Sequence, residues 1–198
     1  CPDAVQQGRA IKLRGVLPSL RLHGRCSGWH RKHNSMKLST LADVYLDQIQ
    51  DMHSCERQLI RAIPKMMKAA SNPDLKSAFA EHLEVTREHL ARLDRILEDL
   101  GKPAGRKVCK AATGLVEEGG EIIEADGEDS ARDVGLICAA QKIEHHEIAS
   151  YGCLQAFALQ LGRSADAKLL EKTLTDEKKA NDALSELATA SVNEGAMA

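Results

Sequence analysis

The sequence predicts an all-α protein built as a four-helix bundle, and three observations lead to this prediction. Aromatic residues make up only 3% of the 198-residue chain, whereas the helix-favouring residues Ala, Leu, Glu and Lys are abundant. Apolar residues recur at alternating steps of three and four along four long segments, which is the spacing of a buried helix face. Clear breaks separate these segments, and a hydrophobic content of 43% is enough for one substantial core.

The first two predicted helices form an antiparallel hairpin. Ser39 or Thr40 can cap a helix that runs to about residue 70. The second helix begins at Asn72 or Pro73 and ends at Gly101. Because so few residues separate the two helices, we expect them to be neighbours in the bundle.

The second hairpin is predicted from residues 130–160 and 164–192, with Gly162 ending the first of these two helices. About 28 residues, Gly101 to Glu128, connect the hairpins and include a short helical stretch near Leu115–Glu124. A bundle connection normally has about two to eight residues, so this linker is long enough to cross the height of the bundle. Two antiparallel hairpins joined by one long crossover form the ferritin-like arrangement.

Four glutamates interrupt the apolar faces of the predicted helices. Glu144 and Glu147 both lie on the apolar stripe of the third long segment, Glu56 lies at the centre of the first stripe, and Glu177 lies at the centre of the last. A buried carboxylate without a partner costs several kcal/mol, so these groups need compensation. A metal ion commonly holds several inward carboxylates together. Ion pairs with Lys or Arg from a neighbouring helix are the alternative.

The second predicted helix has no glutamate on its apolar stripe, but two histidines flank that stripe. Folding the first hairpin places His89 level with Glu56, and leaves His82 roughly 9 Å away along the helix axis at about 1.5 Å per residue. His89 is therefore the favoured metal ligand and His82 the second candidate, although either can be a core histidine. Tyr151, one turn beyond Glu147, can donate a hydrogen bond to a metal-bound carboxylate or simply pack in the core with its hydroxyl bonded to a glutamate.

The first 35 residues differ in composition from the rest of the chain. Residues 1–35 contain seven bases and one acid, whereas the remainder contains 20 bases and 28 acids. Since the first methionine is Met36 and no helical periodicity precedes it, we interpret residues 1–35 as a non-native arm and residues 36–198 as the bundle domain. A targeting peptide and a nucleic-acid-binding arm are the alternatives, and nucleic-acid binding is the least favoured.

The apolar runs and the cysteines of the sequence indicate where in the cell the protein is located and whether its thiols are reduced. The sequence has no run of 18 apolar residues, which argues against a transmembrane helix. Six cysteines, at positions 1, 26, 55, 109, 138 and 153, show no zinc-type spacing. We therefore interpret those within helices as reduced core residues of a cytoplasmic protein. His145 and His146 rotate away from the apolar stripe and are interpreted as surface or dimer-contact residues.

Residues 36–195 resemble the YciE/YciF family of ferritin-like bacterial stress proteins. The matching segments are Ser54–Leu59, His82–Thr86, Gly114–Glu118, Ala140–Gly152 and Thr173–Lys178. Of these, the segment AQKIEHHEIASYG is long enough to be specific. The resemblance implies a ferritin-like bundle, often dimeric, with a dinuclear metal centre. The chain departs from the usual ligand pattern because Glu147 stands three residues after Glu144, where ferritin-like sites usually place a histidine, and Val85 follows Glu84.

The leading functional hypothesis is a dinuclear metal-binding protein, with two iron ions favoured and manganese as the alternative metal. The predicted ligands are Glu56, Glu144, Glu147 and Glu177, with His89 and His82. Such a centre reacts with O2 or peroxide, which gives ferroxidase or peroxide-scavenging activity under stress. The alternative is a metal-free structural homodimer whose inward carboxylates form ion pairs. A DNA-protecting protein that uses the basic arm is a third, less favoured hypothesis.

Overall fold

The computed structural model describes residues 38–197, and this part of the chain is helical and contains no strand. The predicted arm, residues 1–35, lies outside the described residues. The helices are α1 Leu41–Ala69, α2 Pro73–Asp99, α3 Lys110–Glu124, α4 Asp129–Gln160, α5 Ser164–Leu187 and α6 Asn193–Gly195, with a π-helical segment Ala188–Val192 before α6. None of the helices within residues 38–197 combines the length and the apolar character needed to cross a bilayer. The all-α prediction is confirmed.

Local capping interactions set the ends of the long helices, as the sequence predicts. Thr40 accepts a hydrogen bond from the backbone of Asp43, and the Asp43 carboxylate accepts one from the backbone of Thr40. Asn72 caps α2 by accepting from two backbone N–H groups, with Pro73 at the first helical position. Gly162 ends α4 with a φ of +71°, a left-handed conformation that glycine adopts without steric cost.

The crossover helix α3 begins earlier than the predicted start at Leu115. Cys109 caps it by accepting a hydrogen bond from the backbone N–H of Ala112, and α3 then runs from Lys110 to Glu124. Cysteine is not among the residues that usually cap helices, so the sequence pattern did not reveal this start.

The two hairpins pack against each other around a common core. α1 packs on α2 and α4 on α5, while α3 lies between the hairpins in sequence and packs on both α1 and α4. Asp133 of α4 is 2% exposed and accepts hydrogen bonds from the Ser71 backbone at 2.8 Å, the Ser71 hydroxyl at 2.6 Å and the Asn72 backbone at 2.8 Å. These three donors compensate a buried carboxylate and attach the first hairpin turn to the second hairpin. The crossover thus leaves α1, α2, α4 and α5 facing one another.

Candidate metal centre

All six predicted ligands point into the bundle from the four long helices. The inward residues are Glu56 on α1, His82 and His89 on α2, Glu144 and Glu147 on α4, and Glu177 on α5. Three of the glutamates are 0% exposed and the fourth, Glu144, is 3% exposed. The glutamates are buried because each occupies a position on a stripe whose apolar neighbours must leave water. We call these six residues the carboxylate cluster.

The ligand atoms of the carboxylate cluster fall into two adjacent groups. The first group consists of His82, Glu144, Glu147 and Glu177, and the second consists of Glu56, His89 and Glu177. Within each group, one ligand atom of every residue lies within 4.8 Å of the ligand atoms of the others. Glu177 belongs to both groups. His82 Nε2 lies 3.3 Å from Glu144 Oε1, and His89 Nδ1 lies 2.9 Å from Glu177 Oε1. Two groups that share one carboxylate are suited to two neighbouring cations.

Both candidate histidines contact the inward glutamates, although their positions along the helix favoured His89 over His82. His89 Nδ1 is 3.7 Å from Glu56 Oε1 and is also close to Glu177. This agrees with the prediction that His89 and Glu56 lie at the same height along the bundle axis. His82 is also within reach because Glu144 lies almost one helical turn from Glu147, so the cluster extends along the bundle axis. Each histidine therefore approaches a different end of the cluster.

Most of the polar atoms in the carboxylate cluster have no hydrogen-bond partner among the described residues. These buried atoms are Oε2 of Glu56 and of Glu144, both carboxylate oxygens of Glu147 and of Glu177, and both ring nitrogens of His89. His89 Nδ1 and Glu177 Oε1 are close, but they lack the alignment of a hydrogen bond. Within residues 38–197 no Lys or Arg pairs with any of the four glutamates. The ion pairs expected for a metal-free core are not formed at these positions.

Burial shifts the protonation of both residue types towards their neutral forms. Burial raises the pKa of Glu56 and of Glu144 to about 8, and it raises the pKa of Glu147 well above the usual glutamate range. Burial lowers the pKa of His82 to about 4 and that of His89 to about 3. The histidines are therefore neutral at pH 7, which is the form that binds metals, whereas the carboxyl groups must lose protons to do so.

Tyr151 lies against the carboxylate cluster, as predicted. Its ring is 0% exposed, packs at 6.2 Å between centroids against His89, and its hydroxyl donates a hydrogen bond to Glu56 Oε1. The hydroxyl thus bonds one of the inward glutamates, a contact that is common to both roles predicted for Tyr151. This contact holds Glu56 in place.

Sequence reasoning missed a polar network behind His89. The Nε2 atom of this ring faces Asp176 Oδ2 at 3.6 Å, and Arg92 donates to the same Asp176 oxygen at 2.8 Å. Arg92 also donates to Thr173 at 3.0 Å and to Glu88 at 2.9 Å. Carboxylates behind metal-binding histidines commonly fix the ring orientation. Asp176 gave no sequence signal because it lies beside the apolar stripe of α5 rather than on it.

A cavity of about 280 Å³ adjoins one end of the carboxylate cluster. Most of its wall is apolar, with Leu59, Ile63 and Phe79 among the lining residues, and it reaches His82 and Glu144. A small apolar molecule can occupy such a space without losing hydrogen bonds to water.

Two helix hairpins with inward glutamates and histidines at their centre define a protein of the ferritin-like class. Residues 40–197 match the family model described as Domain of unknown function (DUF892). Protein YciF of Escherichia coli strain K12 is 43% identical over 162 residues, which cover 81% of this chain and 98% of that protein. The chain therefore belongs to this family, and its resemblance to the YciE/YciF proteins is confirmed.

Solved structures support the same assignment of the fold. The E. coli stress protein YciF superposes with a TM-score of 0.76 and 43% identity, covering 79% of this chain and 99% of that one. YcfI from Rhodopseudomonas palustris, for which a structural role is proposed, gives a TM-score of 0.74 at 34% identity, with coverage of 76% and 96%. Ferritin-like, diiron-carboxylate proteins from Bacillus anthracis give 0.60 at 16% identity, with coverage of 76% and 99%. This last likeness concerns the fold alone, and the ferritin-like prediction is confirmed.

Proposed function

We propose that this chain binds two iron ions in the carboxylate cluster and oxidises Fe(II) with O2 or peroxide, as a ferroxidase or a peroxide scavenger in the stress response. The ligands would be the four glutamates, with His82 at one end of the cluster and His89 at the other. The observation that carries this proposal is the set of buried carboxylate oxygens without hydrogen-bond partners in the described part of the chain. Ionising such carboxyl groups in a protein core costs several kcal/mol each, and bound cations offset that cost.

The donor set fits iron better than it fits soft metals. Four carboxylates and two imidazoles supply oxygen and nitrogen ligands, which suit Fe and Mn, and no sulfur ligand lies in this cluster. Two Fe(II) ions held by these residues would supply the two electrons that reduce one hydrogen peroxide, with two protons, to two water molecules, and would become Fe(III). Glutamates that hold protons before metal binding release them as the metal enters, because only the ionised carboxylate is a ligand.

The surrounding residues orient the ligands and restrict access to them. Asp176, held by Arg92, faces Nε2 of His89 and so favours binding through Nδ1, the nitrogen that points to the glutamates. Tyr151 donates to Glu56 and keeps that carboxylate turned towards the centre. The mostly apolar cavity beside His82 is the route we assign to O2, because O2 is small and apolar.

The experiment that tests this proposal is the metal content of the chain. The protein is loaded with Fe(II) without oxygen, desalted, and its iron and protein are measured by elemental analysis. We expect roughly two irons per chain, because ferritin-like sites of this kind are dinuclear. The loaded protein is then mixed with O2 or peroxide, and oxidant consumption is followed.

Matched glutamate variants separate specific binding from adventitious binding. Glu144→Ala and the isosteric Glu147→Gln should lose the bound iron, whereas Glu84→Ala should keep it, because Glu84 is 68% exposed and pairs with Arg87 on the surface of α2. Iron that remains in Glu144→Ala would overturn the assignment of the site. A wild-type chain that retains neither Fe nor Mn would instead favour the metal-free structural dimer.

A further inference from the structure

A second group of metal-binding side chains lies beside the carboxylate cluster, where α3 begins. Cys55 of α1, Cys109 at the start of α3 and His146 of α4 have ligand atoms within 4.8 Å of one another. Both cysteines are 0% exposed, and His146, which was predicted to be a surface or dimer-contact residue, is half-buried. We call these three residues the thiolate cluster. It shares no residue with the carboxylate cluster.

The surroundings of Cys109 favour its ionised form. Its Sγ accepts a hydrogen bond from the Ala112 backbone N–H at 3.5 Å and lies 3.7 Å from His146 Nε2. The hydrogen bond from the Cys55 thiol lowers the pKa of Cys109 to about 3, burial opposes this shift, and the contact with His146 adds to it, whereas the same thiol–thiol contact raises the pKa of Cys55 well above its usual value. The N-terminus of a helix also stabilises a negative charge. The thiolate, not the thiol, is the form that binds metals.

The distance between Cys109 and His146 agrees with that of two ligands in a tetrahedral site. A zinc ion lies about 2.3 Å from a thiolate sulfur and about 2.0–2.1 Å from an imidazole nitrogen, so two such ligands are roughly 3.5 Å apart. Cys109 Sγ and His146 Nε2 are already 3.7 Å apart. Asp51, whose side chain is 19% exposed, lies beside Cys109 and is 3.5 Å from Lys107 Nζ.

We propose that Cys55, Cys109 and His146 form a zinc site that is separate from the carboxylate cluster. Thiolate and imidazole ligands suit Zn²⁺, whereas the carboxylate cluster suits harder cations. The bound ion would join α1, α3 and α4, and so fix the start of the crossover helix on the bundle. Binding releases the protons that the thiols still carry, and no oxidation or reduction occurs.

Cobalt substitution tests this proposal directly. The full-length, reduced protein is titrated with Co²⁺, because cobalt bound by thiolates shows intense sulfur-to-metal charge-transfer absorption, whereas cobalt bound by carboxylates does not. We expect this absorption to saturate at roughly one cobalt per chain, and to disappear when one equivalent of Zn²⁺ displaces the cobalt.

Variants identify which sulfurs bind the metal. Cys55→Ser and Cys109→Ser should lose the charge-transfer absorption, and Cys109→Ser should still fold because serine is a favoured N-cap residue. The control variants are Cys138→Ser with Cys153→Ser, which removes two exposed thiols, and Cys1→Ser with Cys26→Ser, which removes the two that lie outside the described residues. Both controls should keep the absorption.

The outcome does not depend on the iron proposal. Glu144→Ala, which removes a ligand of the carboxylate cluster, should leave the sulfur absorption unchanged. Absence of the absorption in the wild-type protein, or its survival in Cys109→Ser with an unchanged helical circular dichroism spectrum, would overturn the zinc site. Loss of the absorption in either control would assign the metal to other cysteines and would also overturn it.

Discussion

The carboxylate cluster and the thiolate cluster lie side by side but are built in different ways. The carboxylate cluster takes its side chains from the four long helices, whereas the thiolate cluster needs the crossover helix α3. Consecutive residues supply the two clusters, since Cys55 precedes Glu56 and His146 precedes Glu147. A step of one residue turns a helix by about 100°, so one side chain faces the bundle centre and its neighbour faces the crossover. A single pair of helices thereby presents oxygen ligands in one direction and nitrogen or sulfur ligands in another.

Of the changes that act on one cluster and not on the other, removal of bound iron should lower the stability of the fold the most. Each ion present at a hundredfold excess over its Kd stabilises the fold by about 2.7 kcal/mol. For a chain of this size that corresponds to roughly 5–10 °C in Tm per ion. Calorimetry of the iron-loaded protein with and without chelator should show this loss in wild type and in Cys109→Ser, but not in Glu144→Ala. An equal loss in Glu144→Ala would place the stabilising iron elsewhere.

Replacing Asp176 should weaken the carboxylate cluster and spare the thiolate cluster. Asp176→Asn removes the charge that faces His89 Nε2, and loss of such a partner typically lowers metal affinity about 10–100-fold. Competition with a chelator of known affinity measures this change. Asp182→Asn, an exposed position on the same helix, is the control. If both variants bind iron as wild type does, Asp176 does not position His89.

The pH dependence of the metal-free protein should report the buried glutamates. Burial raises the pKa of Glu144 from 4.5 to about 8, so between pH 7 and pH 8 the folded state holds a proton that the unfolded state has released. The free energy of unfolding therefore falls as pH rises in this window, by at most about 1.4 kcal/mol per pH unit for each such group. The pKa of His82 is lowered from 6.5 to about 4, so between pH 7 and pH 8 this histidine is mostly neutral in the folded and in the unfolded protein.

Urea unfolding in the presence of a chelator measures this slope. Glu144→Gln has no titrating carboxyl at that position, so its stability should fall less steeply between pH 7 and pH 8 than that of wild type. Glu84→Gln, at an exposed position, should reproduce the wild-type slope. Because Cys109 is present in all three proteins, its own titration cancels in the comparison. Parallel curves for wild type and Glu144→Gln would mean that Glu144 titrates normally.

Removing the hydroxyl of Tyr151 should have the smallest effect on stability of the changes considered. Tyr151→Phe removes the donor to Glu56 and should lower the stability of the metal-free protein by about 1 kcal/mol. Tyr45→Phe is a close match, because Tyr45 is buried and donates to Asp166 at 2.9 Å, away from both clusters. Both variants should bind as much iron as wild type, and only Tyr151→Phe should bind it less tightly. Equal iron affinity in the two variants would limit Tyr151 to core packing.

The sequence alone identified the four glutamates because helical periodicity determines which side of a helix each residue occupies. Glu56, Glu144, Glu147 and Glu177 share their stripes with apolar residues, so burying those stripes also buries the carboxylates. The helix ends could also be predicted from the sequence, because Thr40, Asn72 and Gly162 act through contacts within a few residues. These are local properties of the chain.

Only the tertiary structure decided which side chains from different helices meet. Periodicity fixes the direction of a side chain about its own helix axis, but it does not fix how far neighbouring helices slide along one another. For this reason the reach of His82 to Glu144 was underestimated and the contact between Asp176 and His89 was missed. The thiolate cluster is the extreme case: Cys109 and His146 are 37 residues apart, and they meet because the crossover packs α3 on both α1 and α4.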